Sequence, residues 1–83
     1  MTIITRRILY PEGDIQEIPH DLRVNQLVDL NGFPLALPLP TSRMIVYRVY
    51  RKSTSVERGE EIRSYSLELV GAPELEQFAR PGR

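Results

Sequence analysis

Apolar and polar residues alternate along much of the chain, a pattern typical of β-strands that bury one face. The clearest example surrounds Asn31-Gly32, a dipeptide that favours the type I′ turn of a two-residue hairpin loop. Such a loop pairs Leu30 with Phe33 and places the apolar residues of both arms on one face. The further pairs are Val28 with Leu35 and Val24 with Leu39. The pattern therefore predicts a β-hairpin here.

Residues 22–30, the first arm of that hairpin, also fit a helix capped by Asp21 and ended by the Asn-Gly dipeptide. In such a helix Leu22 and Leu30 point away from the apolar face, so we favour the strand. The second arm contains two prolines, which lack the N–H that a strand ladder needs. It is therefore predicted to be an edge strand.

Four further segments show the composition or alternation of strands, and one shows the start of a helix. The predicted strands are Ile3 to Tyr10, Ile15 to Ile18, Met44 to Lys52 and Ile62 to Val70. Pro73 suits the first turn of a helix through Arg80. The polar segment Ser53 to Glu61 is predicted to be an exposed loop. Together these elements predict a mainly β fold, a small antiparallel sheet of about five strands curled into a barrel or half-barrel, with a short C-terminal helix.

The length of 83 residues fits one small domain, because a chain this short buries only about 60% of its unfolded surface. We assign residues 1–79 to that domain and residues 80–83 to a frayed tail. The chain has no cysteine, which excludes disulfides and thiolate metal sites. Its apolar stretches are too short to span a membrane, and Arg6-Arg7 follow two isoleucines in the wrong order for a signal peptide. We therefore expect a cytoplasmic protein that does not bind membranes.

Charge is balanced over the whole chain but not along it. Eleven basic and eleven acidic residues give a formal net charge of +0, whereas residues 41–58 carry five basic residues and one acid. If Ile45, Tyr47 and Val49 face the core, then the next residues along the strand form a row on its outer face. That row is Arg48, Tyr50 and Lys52, and Arg58 follows in the predicted loop. These four residues are the predicted partner-binding site, because arginine and aromatic side chains are enriched at interfaces.

Residues with catalytic or metal-binding chemistry do not form a recognisable set. His20 has only Asp21 beside it as a possible orienting group, and no nucleophile is placed by sequence to complete a catalytic set. The acidic groups at residues 12–14 and 57–61 lack the ligand spacing of a calcium loop, and no glycine-rich phosphate loop occurs. We predict no enzyme activity, metal or cofactor, and infer no small-molecule substrate. A site formed between subunits, using His20 or the Ser53 to Glu61 loop, is a weaker hypothesis.

The leading hypothesis is a non-catalytic module that binds another protein or assembles with itself as a homodimer. The module presents either the Arg48, Tyr50 and Lys52 face or an exposed strand edge to its partner. The hypothesis rests on the small size of the predicted core and on the basic and aromatic outer face. The alternative is binding of single-stranded nucleic acid such as RNA, in which the ring of Tyr50 stacks on a base and Arg48 and Lys52 contact phosphates. The alternative predicts binding that weakens as salt rises.

Overall fold

The computed structural model describes residues 3–41 and 43–79 of the chain. These residues form five strands and one helix: β1 (Ile3–Leu9), β2 (Ile15–Ile18), β3 (Leu27–Val28), β4 (Tyr47–Glu57), β5 (Glu60–Leu69) and α1 (Ala72–Ala79). The strands form one sheet in the order β2-β1-β5-β4-β3, curved as a half-barrel. The predicted mainly β half-barrel with a short C-terminal helix is confirmed. The predicted tail, residues 80–83, lies outside the described residues.

The sheet is mixed rather than wholly antiparallel. β1 and β5 run parallel from the pair Ile3 and Glu60 to the pair Leu9 and Ser66, while the other three strand pairs are antiparallel. Antiparallel neighbours can be joined by a short turn, but parallel neighbours need a long connection. Here β2, β3 and β4 all lie between β1 and β5 along the chain. The alternation within each strand predicts its faces but not its direction relative to a distant strand.

One face of the sheet, which we call the core face, carries the first apolar cluster. Ile8 of β1, Val49 of β4 and Tyr65 of β5 are completely buried there. Ile18, Leu22, Val28, Tyr47 and Leu67 complete this cluster. The apolar residues of β5 alternate with Ser64 and Ser66, so the two-residue period of a strand explains why one side is apolar.

The opposite face, which we call the helix face, carries a second apolar cluster beneath α1. Leu75 of α1 packs with Leu27 and Val70, and Pro73 lies in the first turn of the helix as predicted. Leu39 and Val46 complete the buried part of this cluster, and the Leu39 N–H donates to the carbonyl of Phe78 at 2.9 Å. Nowhere in residues 3–41 and 43–79 does a helix combine the length and the apolar character needed to cross a membrane.

The hairpin predicted at Asn31-Gly32 has its turn at the expected place but in a different register. The loop is one residue longer, because Asp29 N–H donates to the Phe33 carbonyl at 2.9 Å and Gly32 N–H donates to the Asp29 carbonyl at 3.0 Å. The Asp29 carboxylate also accepts from the backbone N–H groups of Asn31 and Phe33, which stabilises this longer loop. The predicted pairing of Leu30 with Phe33 is therefore wrong.

A shift of one residue turns side chains to the other face of a strand. Leu30, Phe33 and Val24, all predicted to be buried, are about half exposed. Of residues 22–30, only Leu27–Val28 form a strand, and they are not helical. The second arm contributes an isolated bridge between Pro34 and Val28 instead of a full edge strand.

The segment Ser53 to Glu61 is exposed, as predicted, but it is not a loop. β4 continues to Glu57 and β5 begins at Glu60, and the turn Arg58-Gly59 joins them with φ angles of 49° and 80°. Both angles suit a tight two-residue hairpin turn. The segment is polar because it extends beyond both apolar clusters, not because it lacks strand structure. The resulting molecule is elongated, 51 Å along its longest axis against 23 and 17 Å.

Candidate functional site

The predicted row of Arg48, Tyr50 and Lys52 is interrupted by a β-bulge. The pairing of β4 with β5 shifts between Val49 and Arg51, which makes Tyr50 the extra residue. Arg48 pairs with Glu68 on the helix face, whereas Lys52 pairs with Tyr65 on the core face. The prediction that these three side chains form one row is therefore wrong. The extra residue in the bulge shifts every later side chain of β4 to the opposite face from the one that simple alternation predicts. Ile45, expected to face the core, is also exposed.

Arg48 links the sheet to the helix rather than facing solvent freely. Its Nε donates to Glu68 Oε2 at 2.8 Å and its Nη1 donates to Glu74 Oε2 at 2.7 Å. The bonds to Glu74 and then Glu68 raise the pKa of Arg48 above its ordinary value, and Arg48 lowers the pKa of Glu74. Because both carboxylates already satisfy its charge, Arg48 holds α1 against β4 and β5.

Lys52 lies over a buried ring of its own chain. Its Nζ is 5.9 Å from the centroid of Tyr65, within the range of a cation–π contact. The Tyr65 hydroxyl in turn donates to Asp21 Oδ1 at 2.8 Å. Burial, followed by this bond to Asp21, raises the pKa of Tyr65. The positive charge of Lys52 is therefore directed towards the core face.

Asp21 joins polar groups of two strands, β1 and β5, that local sequence patterns do not bring together. Its Oδ1 accepts from Arg6 Nε at 2.9 Å, from Arg63 Nη1 at 2.8 Å and from the Tyr65 hydroxyl. These bonds, with that of Arg6 the strongest, hold the pKa of Asp21 well below its ordinary value. The donors lie 15, 42 and 44 positions away in the sequence, so no local motif marks the cluster.

His20 does not use Asp21 as an orienting group. Its Nε2–H donates to the carbonyl of Gly32 at 2.8 Å, and its ring stacks on Phe33 with the centroids 5.4 Å apart. Asp21 instead accepts from Arg6, Arg63 and Tyr65. Across the described ranges, no three potential metal ligands come together. His20 thus stabilises the Asp29–Phe33 loop, and Asp21 does not orient its ring.

The cluster around Asp21 predicts how stability depends on acid. Because the folded state lowers the pKa of Asp21, its contribution is fully present above the unfolded value of 3.8 and is lost as pH falls through the folded value. We expect the free energy of unfolding to decrease below about pH 4 and to decrease less steeply in Asp21→Asn. Urea unfolding at several pH values measures both slopes. Identical slopes in the two proteins would contradict this role of Asp21.

Among the described residues, the part of β4 beyond β3 is the longest run of strand residues with no strand on one side. β3 pairs only with Tyr47 and Arg48, and the backbone of residues 25 and 26 bonds to Val49, with the Asn25 N–H donating to the Val49 carbonyl at 2.6 Å. From Arg51 to Glu57, β4 is paired with β5 on one side, and no described strand lies on the other. We call the segment Arg51–Glu57 the β4 edge. Alternate N–H and C=O groups along it point away from β5.

The opposite border of the sheet is better protected. β2 is only 4 residues long and is followed by Pro19, and short strands and prolines both limit the addition of further strands. The β4 edge is longer and contains no proline. The predicted site residues therefore separate into two groups. Tyr50, Lys52 and Arg58 lie on or beside the β4 edge, whereas Arg48 belongs to the contact with α1.

Comparison with protein families assigns the chain to a family. A family model described as "Uncharacterised Treponema protein" matches residues 6–78. The chain belongs to this family. The match extends from Arg6 in β1 to Phe78 in α1, so it includes the β4 edge and the contacts of Asp21. Searches of curated proteins and of solved structures found no match.

Proposed function

We propose that this protein is a non-catalytic binding module, and that its β4 edge accepts a strand from another protein chain. The observation that carries the proposal is the unpaired backbone of Arg51–Glu57 at one border of the sheet. The strand at the other border, β2, is only 4 residues long. An exposed edge is a template on which an extended segment forms main-chain hydrogen bonds. We also propose the cytoplasm as its location, which the sequence analysis predicts.

The side chains of the β4 edge supply specificity for the added strand. Arg51 and Glu57 lie on the helix face at its two ends, and Lys52, Thr54 and Val56 lie on the core face. Val56 is 68% exposed, which makes it the most exposed large apolar residue among those described. A bound strand would cover Val56 and remove apolar surface from water.

The alternative, binding of nucleic acid, has weaker support. It needs Arg48 and Lys52 on one face with Tyr50 between them, but Arg48 is bound to two carboxylates and Lys52 lies on the other face. An enzyme site between subunits has no better basis, because His20 is held by Gly32 and Phe33. Protein binding is therefore the function that we propose.

Recovery of native complexes combined with hydrogen exchange tests this proposal. The tagged protein is isolated from lysate with and without nuclease, and amide exchange is measured in the recovered complex and in the purified chain diluted until it is monomeric. We expect a protein partner to be recovered whether or not nuclease is added. Amide exchange at Arg51–Glu57 should be slower in the complex, because an added strand forms hydrogen bonds with those amides. The amides of β2 are the internal control, and their exchange should not change.

Two results would count against it. Fast exchange throughout Arg51–Glu57 in every recovered complex means that the partner does not add a strand there. Recovery that disappears after nuclease treatment instead favours the nucleic-acid alternative, and its strength should then fall as salt rises.

A further inference from the structure

We infer that the strand accepted by the β4 edge is the β4 strand of a second copy, paired antiparallel with Thr54 at the two-fold axis. This inference rests on the proposed function and specifies its partner. Homodimers with a two-fold axis bring the same surface of both copies together, so one edge must complement itself. The β4 edge meets that condition through the order of its charges.

The charges at the ends of the edge are opposite and lie on one face. Arg51 and Glu57 both point to the helix face, and residues directly opposite one another in an antiparallel pair share a face. With Thr54 opposite Thr54, each Arg51 lies opposite the Glu57 of the other copy. The symmetry repeats this ion pair at both ends of the interface. Neither Arg51 nor Glu57 has an ion-pair partner within its own chain among the described residues.

The core face is compatible with the same register. Lys52 then lies opposite Val56, and the Nζ of Lys52 is held near the ring of Tyr65 in its own chain. The aliphatic stem of Lys52 is therefore available to cover the exposed Val56, while its charge stays with Tyr65. Thr54 lies opposite its own copy, and threonine pairs are favourable across antiparallel strands.

Two neighbouring registers and the in-register parallel arrangement are less favourable. Pairing centred on Lys52 places two lysines opposite one another, and parallel pairing in register places Arg51 beside Arg51 and Glu57 beside Glu57. Like charges directly opposite are destabilising. Pairing centred on Ser53 moves Glu57 opposite Val49, whose backbone is already bonded to Asn25 and Gln26.

The ends of the edge also match in space. With Thr54 at the axis, the Arg58-Gly59 turn of each copy reaches the bulge at Tyr50 of the other. Asn25 and Gln26 occupy the β4 border immediately before that bulge. The β4 strand of the second copy therefore ends at the point where the unpaired border of the first copy ends. Arg58 comes alongside the half-exposed ring of Tyr50, a favourable arrangement for a cation–π contact. The two sheets then form one continuous sheet.

Charge exchange across the interface tests the partner and the register. The dissociation constant of the purified chain is measured by analytical ultracentrifugation over a concentration series at low and moderate salt. Arg51→Glu and Glu57→Arg should each weaken self-association about tenfold, because each places like charges opposite one another twice. An equimolar mixture of the two variants should regain the affinity of the original protein, because the introduced glutamates then face arginines and the introduced arginines face glutamates. Arg43→Glu, which makes the same charge change at an exposed loop residue, is the matched control and should not change it.

Three results would overturn the inference. A chain that stays monomeric at every concentration does not use itself as the partner. Unchanged self-association in both charge variants places the interface elsewhere. Variants that weaken individually but do not recover on mixing exclude the Thr54-centred register. The proposed function is decided separately, because a different partner still slows exchange at Arg51–Glu57 in a recovered complex.

Discussion

Replacing Tyr65 with Ala is expected to reduce the free energy of unfolding by about 3–5 kcal/mol, the usual cost of removing a fully buried aromatic ring. Tyr65 has no exposed surface and lies between Ile8 of β1 and Lys52 of β4 in the sheet. The total stability of a domain of this length is roughly 4–12 kcal/mol. The variant should therefore lose a large part of that stability, and near the lower end of the range it should be partly unfolded without denaturant. Urea unfolding followed by circular dichroism measures the difference.

Two control variants show which part of this loss comes from burial of the ring. One removes only the hydroxyl of Tyr65, and the other removes a tyrosine side chain that is exposed. Tyr65→Phe keeps the ring but removes the bond to Asp21, and should cost about 1 kcal/mol. Tyr50→Ala removes the same kind of side chain from an exposed position and should change stability by less than about 0.5 kcal/mol. A loss in Tyr65→Ala no larger than that in Tyr65→Phe would show that the ring is not a core element.

Replacing Gly32 with Ala is the second large expected effect, about 2 kcal/mol of lost stability. Gly32 has a φ angle of +86°, which a residue with a Cβ adopts only with strain. A Cβ at this position would lie 2.8 Å from Ile8 Cδ1 and 3.2 Å from Ile18 Cγ2. Because Ile8 is completely buried, its end can shift only by disturbing neighbouring core side chains. The midpoint of urea unfolding measures this loss.

Gly13→Ala is the matched control for that substitution. Gly13 also has a positive φ, +102°, but a Cβ there has nothing within 4 Å. It should therefore lose only the backbone term, about 1 kcal/mol. Equal losses of stability at Gly13 and Gly32 would mean that the close contact with Ile8 does not contribute to the loss, and that backbone strain alone explains it.

Much of the fold follows from local sequence patterns. The alternation of Tyr65, Leu67 and Leu69 with serines and Glu68 predicts the β5 strand, and Pro73 predicts the start of α1. Such features depend on residues within a few positions, so one sequence contains the needed information. The register at Asn31-Gly32 was also local, since Asp29 is the residue that selects the longer loop. The preference of Asn-Gly for a two-residue turn does not take into account Asp29, whose carboxylate favours the longer loop.

The candidate site depended on features that local patterns do not contain. The bulge at Tyr50 is visible only once Val49 and Arg51 are paired with Leu67 and Ser66 of another strand. The open edge of β4 likewise exists because β3 is short and begins at Leu27, opposite Arg48. Exposure of a strand border is set by which other segments reach it. Local patterns therefore single out Tyr50, Lys52 and Arg58, which lie on or beside the candidate edge, but do not reveal the edge itself.

The parallel pairing of β1 with β5 has a consequence during translation. Thr5 Oγ1 donates to Glu60 Oε2, and these partners are 55 positions apart in the chain. β1 and β2 can form their hairpin as soon as they leave the ribosome, but the other border of β1 stays unpaired until β5 has been synthesised. Until β5 has been synthesised, Ile8, which is completely buried in the folded protein, lies beside an open strand border, an arrangement that favours aggregation.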